Sequence, residues 1–126
     1  MKEYKLAFGT IIILEEQLAE VIIDEGVVID EVVLDICHDF LLSYFKASFS
    51  ILLNKKNSYS YTFEAQKILF NLKEVHRVAV LAATSGAYMS AETLIKMNES
   101  NHLNMQLFEK REYALEWLES KCNISA

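Results

Sequence analysis

Short apolar runs of strand length alternate with amphipathic stretches of helix length from one end of this chain to the other, and few architectures accept that rhythm. Punctuation is sparse, with no proline and three glycines, so element boundaries are read from periodicity. Lys5 to Leu14, rich in Ile, Leu and Phe, reads as a strand with a bulge or bend at Gly9, and Leu18 to Ile23 as a second. The polar turn Glu15-Glu16-Gln17 is too short to cross to a parallel position, so these two form a hairpin. Asp30 then offers an N-cap. Val32, Val33, Ile36, Cys37, Phe40, Leu41 and Tyr44 repeat with helical spacing, leaving Glu31, Asp35, His38, Asp39 and Lys46 to the solvent side.

Phe49 to Leu53 is a strand, Asn54 to Tyr61 a polar loop, and Thr62 with Glu64 opens a second helix with inner face Ala65, Ile68, Leu69 and Leu72. Val78 to Ala83 is nearly all apolar, as expected of a strand covered on both faces. Ser85 can cap a third helix ending near Asn98. Met105 to Phe108 is a last strand, and Arg111 to Ser120 a last helix burying Ala114, Trp117 and Leu118. The expected fold is a single α/β domain spanning residues 1–126, in the order ββαβαβαβα. It has one mixed, mostly parallel sheet of about five strands, four helices and right-handed crossovers.

Charge excludes some partners. The net charge is −6 and the pI about 5.0, with the only adjacent basic pairs at Lys55-Lys56 and Lys110-Arg111. Nucleic acid and anionic membrane surfaces are recognised by clustered Lys and Arg, so neither is an expected partner. Lys2 and Lys5 before an apolar run imitate a secretory signal. Glu3 interrupts the basic part, Glu15 and Glu16 close the run, and no small-x-small cleavage site follows, so the expected location is the cytoplasm. No run of 18 apolar residues occurs in the sequence to span a membrane. Cys37 and Cys122 form neither a C-x-x-C motif nor a disulfide framework, and read as a core thiol and a tail thiol.

Motifs for chemistry are missing. Gly9, Gly26 and Gly86 lie too far apart for a phosphate-cradling glycine loop. His38, His76 and His102 lack metal-ligand spacing, and His38 reads as a solvated helix-surface side chain beside Asp39. Asp24, Asp30, Asp35 and Asp39 read as caps and a solvated face, and Ser85-Gly86 lacks a nucleophile elbow. A phospho-receiver domain would place a hydroxyl near Thr84 or Ser85 and a lysine near Lys110. It also needs an acceptor Asp where this chain has Asn54. No catalytic residue, metal or cofactor is expected. The loop from Asn54 to Thr62 is the candidate surface. Ser58, Tyr59, Ser60 and Thr62 carry its side-chain hydroxyls together with Tyr61, the tyrosines reading as exposed and Thr62 as a helix cap.

The closing string Leu107-Phe108-Glu109-Lys110-Arg111-Glu112-Tyr113-Ala114-Leu115-Glu116-Trp117-Leu118 resembles the strand-to-helix ending of small bacterial STAS-like domains (sulfate transporter and anti-sigma factor antagonist). Thr62-Phe63-Glu64-Ala65-Gln66, Val78-Ala79-Val80-Leu81 and the element order agree with it. The resemblance implies a non-catalytic protein-interaction or regulatory module with an unidentified protein partner, compatible with a homodimer. It also implies a phosphorylation switch at the start of the second helix. Ser58, Ser60 and Thr62 stand there without the preceding Asp or following Gly usual in such switches. Some proteins near this fold are compared with lipid-carrying Sec14-like domains, so the alternative is a carrier of a small apolar ligand or lipid. An internal apolar pocket would favour the carrier, and a filled core with an exposed apolar helix face the module.

Overall fold

The computed structural model describes residues 1–98 and 104–120. Strands β1 (Lys2–Leu6), β2 (Gly9–Glu15) and β3 (Leu18–Ile23) form an antiparallel meander, and β4 (Val28–Ile29) leads into helix α1 (Glu31–Tyr44). Then follow β5 (Phe49–Asn54), β6 (Ser60–Tyr61), α2 (Phe63–Ile68), β7 (Val75–Leu81), α3 (Ser85–Met97), β8 (Met105–Phe108) and α4 (Arg111–Glu119). Among the described residues the main sheet has six strands in the order β1-β2-β3-β5-β7-β8, parallel from β3 onward, and β4 and β6 make a separate parallel pair. The α/β class and the mixed sheet agree with the sequence reading, but the strand count does not.

The extra main-sheet strand comes from the N-terminal run, which is a hairpin folded at Ala7-Phe8 and not one strand with a bulge or bend at Gly9. Two-residue hairpin turns usually advertise themselves through Gly or Asn at positive φ. Neither Ala7 nor Phe8 has positive φ, so the turn left no trace in the sequence. Gly9 serves the sheet instead. A Cβ there would lie 2.2 Å from the Ile22 carbonyl oxygen on the neighbouring strand, so only glycine allows β2 to begin beside β3.

The pleat sorts side chains to two faces. Ala19, Val21, Ile51, Leu53, Val78 and Val80 meet Leu34, Cys37 and Leu41 of α1 and Ala91 and Leu94 of α3. Leu18, Leu52 and Ala79 meet Ala114 and Leu118 of α4 on the other face. Asp30 caps α1 by accepting from the Val33 amide at 2.9 Å, and Thr62 caps α2 by accepting from Ala65 at 3.2 Å, both as expected. The cap of α3 is Thr84, one residue before the expected Ser85, accepting from Ala87.

Five side chains depart from the sequence reading. Trp117, expected in the core, is half-buried, with the Phe108 ring tilted against it (5.6 Å) and the Arg77 guanidinium over its ring (5.1 Å), and the buried residues of the helix are Ala114 and Leu118. His38 is buried, whereas Val32 and Ile36 are exposed, because the inner stripe of α1 runs through Leu34, Cys37, His38 and Leu41. Ile68 of α2 is likewise turned outward. Cys122 and His102 lie outside the described residues.

Candidate functional site

The carboxyl ends of parallel strands, where loops leave the sheet, are the places α/β domains use for ligands. At this edge β5 ends at Asn54, paired with Leu81 at the end of β7, and the Lys55 amide donates to the Leu81 carbonyl at 2.9 Å. The loop from Lys55 to Ser60 then crosses toward β4. It is fastened at four points. The Asn57 side-chain amide donates to the Ile23 carbonyl (2.8 Å), and the Ser58 amide to a Glu25 carboxylate oxygen (2.9 Å). The Ser58 carbonyl accepts from Gly26 (2.7 Å), whose φ of 79° suits glycine, and the Ser60 amide donates to the Val27 carbonyl (3.1 Å).

This anchoring places the candidate residues differently from one another. Ser58 and Ser60 are exposed, and Thr62 is half-buried with its hydroxyl oxygen engaged in the cap. Tyr59 and Tyr61 are not the exposed rings their polar neighbours suggested. Their rings meet edge to face at 5.3 Å, their hydroxyls lie 3.0 Å apart, and both pack against the main core. Burial pushes the Tyr59 hydroxyl up to about 12, and Tyr61 goes well above its ordinary value for the same reason.

Lys55 is the residue the sequence reading passed over. It is 5% exposed, its ammonium sits 4.1 Å from the Tyr59 ring centroid and 5.3 Å from that of Tyr61, and burial lowers its pKa to about 8. No hydrogen bond or ion pair reaches that ammonium from the described residues. Lys55, Ser58 and Tyr59 line one side of a cavity of about 290 Å³, and Thr84, Gly86 and Ser90 at the start of α3 line the other.

A second polar cluster crosses the same edge on the opposite face. Glu20 of β3 is 2% exposed and takes two hydrogen bonds from Arg111 of α4, at 2.6 and 2.8 Å, and a third from the Asn54 side chain at 2.8 Å. Burial pushes the Glu20 carboxyl upward, but these bonds outweigh it and hold the group below its ordinary value. Asn54, at the position where a phospho-receiver would carry its acceptor, is thus a structural donor. Deeper in, the His38 Nε2 accepts from the Phe70 amide at 3.1 Å, where the chain reverses after α2 with φ of 55°. Burial lowers the pKa of His38, and the ring is held neutral as an acceptor.

Among the described residues no three His, Cys, Asp or Glu side chains gather to hold a metal ion. Cys37 is buried and its thiol is pushed up to about 12 by burial, the opposite of an activated nucleophile. No described helix is long and apolar enough to cross a membrane. No protein-family model matches the chain, and no curated protein matches it either.

Proposed function

We propose that the chain is a non-catalytic protein-interaction module of STAS-like type, which docks a protein partner through the outer face of α1. The observation that carries this reading is the combination of a filled core with apolar side chains left outside. The void beside Phe8, Val21 and Phe70 measures about 10 Å³, room for at most a water and far below the several hundred Å³ of a ligand pocket. A lipid or other apolar cargo carried inside the core would have to displace packed side chains. Meanwhile Val32 and Ile36, one turn apart on α1, are 68% and 52% exposed, and Val28 just before the helix is 57% exposed. Apolar side chains at this spacing present a continuous strip, the geometry by which helices dock onto other proteins. A face of this kind suits a partner with an apolar groove, and a second copy of the chain is one candidate.

The test compares wild type with the double substitution Val32→Glu, Ile36→Glu, in affinity capture and in sedimentation velocity. Both positions face solvent, so the variant should melt with the wild type. It should also lose the captured partner or the self-association. Retention of both by a folded variant would refute the docking face.

A further inference from the structure

We propose that the cavity between the Lys55–Ser60 loop and the N-terminus of α3 is a binding site for a phosphate group, as the free ion or carried by a small molecule. Three features of its walls converge. The first is Lys55 itself. An ammonium carries three N–H donors, and burying it without an acceptor or a counter-charge is costly. Two tyrosine rings supply only a π face, and no acceptor from the described residues completes the set. The side chain is 5% exposed and lines the cavity.

The second feature is the opposite wall. In the first turn of the 13-residue helix α3, the Ala87 amide is taken by the Thr84 hydroxyl and the Tyr88 amide by the Thr84 carbonyl. The Gly86 amide, on the cavity wall, and the Ser85 amide next to it in the chain have no acceptor among the described residues. Gly86 borders the cavity with nothing within 4 Å of where a Cβ would stand, so an oxyanion could approach its backbone closely.

The third feature is the sign of the whole lining. Among the described residues Lys55 and Lys56 are the only charged ones in the lining, Ser58, Thr84 and Ser90 add hydroxyls, and no carboxylate borders it. In a chain of net charge −6 this is a local inversion. A tetrahedral oxyanion has acceptors on every side and meets donors from both walls. The cavity leaves room beyond one phosphate for a small organic body, but none for a dinucleotide lying within it. The site does not depend on the proposed docking face, since α1 contributes nothing to its lining.

The experiment is a titration of the ¹⁵N-labelled chain, followed by amide shifts, with inorganic phosphate in one arm and glycerol 1-phosphate in the other. Chloride is adjusted to keep ionic strength constant. Wild type should show saturable shifts concentrated at Lys55, Ser85 and Gly86. Lys55→Met should weaken binding at least tenfold while keeping its spectrum dispersed. Lys56→Met, which removes the same charge from an exposed neighbour, should weaken binding by less than threefold. Tighter binding of the ester would identify the ligand as an organic phosphate, and equal or tighter binding of inorganic phosphate would identify the free ion. Either result keeps the site. Shifts that do not saturate in either arm would overturn it, as would equal losses in the two lysine variants or wild-type affinity in Lys55→Met.

Discussion

Replacing Lys55 by Met should make this protein more stable at neutral pH, and the gain should vanish in alkali. Burial lowers the Lys55 pKa from 10.5 to about 8, so below pH 8 the folded chain holds a charge that the unfolded chain carries more comfortably. At about 1.36 kcal/mol per tenfold change in proton affinity, that difference amounts to about 3 kcal/mol of destabilisation. The two tyrosine faces, at 4.1 and 5.3 Å, return roughly 1–2 kcal/mol of it. Methionine fills most of the same volume with an apolar chain, so the net gain for Lys55→Met is about 1–2 kcal/mol. For a domain of this size that corresponds to a rise of roughly 4–8 °C in Tm.

The sign with pH follows from linkage. A base with a depressed folded pKa penalises folding fully below that value, and the penalty fades between about pH 8 and 10.5. Urea denaturation of both proteins at pH 7, 8, 9 and 10 should therefore show the two curves converging. Cys37 and Tyr59, both raised to about 12, lose stability at the alkaline end in both proteins, so the difference between the curves isolates Lys55. A variant less stable than wild type by the same margin at every pH would refute the reasoning, because it would mean the side chain acts only by filling space.

Three other perturbations test the remaining structural assignments. Arg111→Met leaves Glu20 buried with Asn54 as its one remaining donor and should cost about 2–3 kcal/mol in urea denaturation at pH 7, with the deficit shrinking on acidification as Glu20 protonates. His38→Leu removes the acceptor of the Phe70 amide and should cost about 1–3 kcal/mol at pH 7.5. Because the folded His38 pKa is depressed, wild type itself should lose stability as pH falls below the unfolded value of 6.5, and the variant should show a flatter slope there. Ser60→Glu, on an exposed strand position, should leave the Tm within a degree or two of wild type and reduce partner capture if the loop carries the switch that the STAS-like resemblance implies.

What the sequence disclosed was periodicity, and what it hid was pairing. The runs at Leu18 to Ile23, Phe49 to Leu53 and Met105 to Phe108 lie in strands, because a strand covered by helices must be apolar along its length. The caps at Asp30 and Thr62 were legible because a cap is a contact over three residues. The rotation of α1 was not. Val32 and Ile36 fit an apolar stripe as well as Leu34 and Leu41 do, and only the sheet decides which stripe is covered. The Glu20–Arg111 contact spans 91 positions. A carboxylate inside an apolar strand does signal that a donor must exist, but nothing local says where. The tyrosines at 59 and 61 looked exposed because their neighbours are polar, and a short strand pairing with β4 turned both rings inward.

Lys55 and Glu20 together give the strongest reason to regard the carboxyl edge of this sheet as more than scaffold. Both are charged and at most 5% exposed, and they lie near the same strand end, Glu20 on the face that carries α4. Around Glu20 the fold provides a bidentate guanidinium and an amide, the full complement a buried carboxylate requires. Among the described residues the same fold provides Lys55 with no carboxylate, although the chain has 18 acidic residues. Glu25 is near enough to fasten the Ser58 amide of the same loop, yet it makes no ion pair with Lys55. A lysine with no role beyond packing could be replaced by methionine with a gain in stability. Retaining the charge at a cost of a kilocalorie or more is the pattern of a functional side chain, whose missing partner arrives from solution.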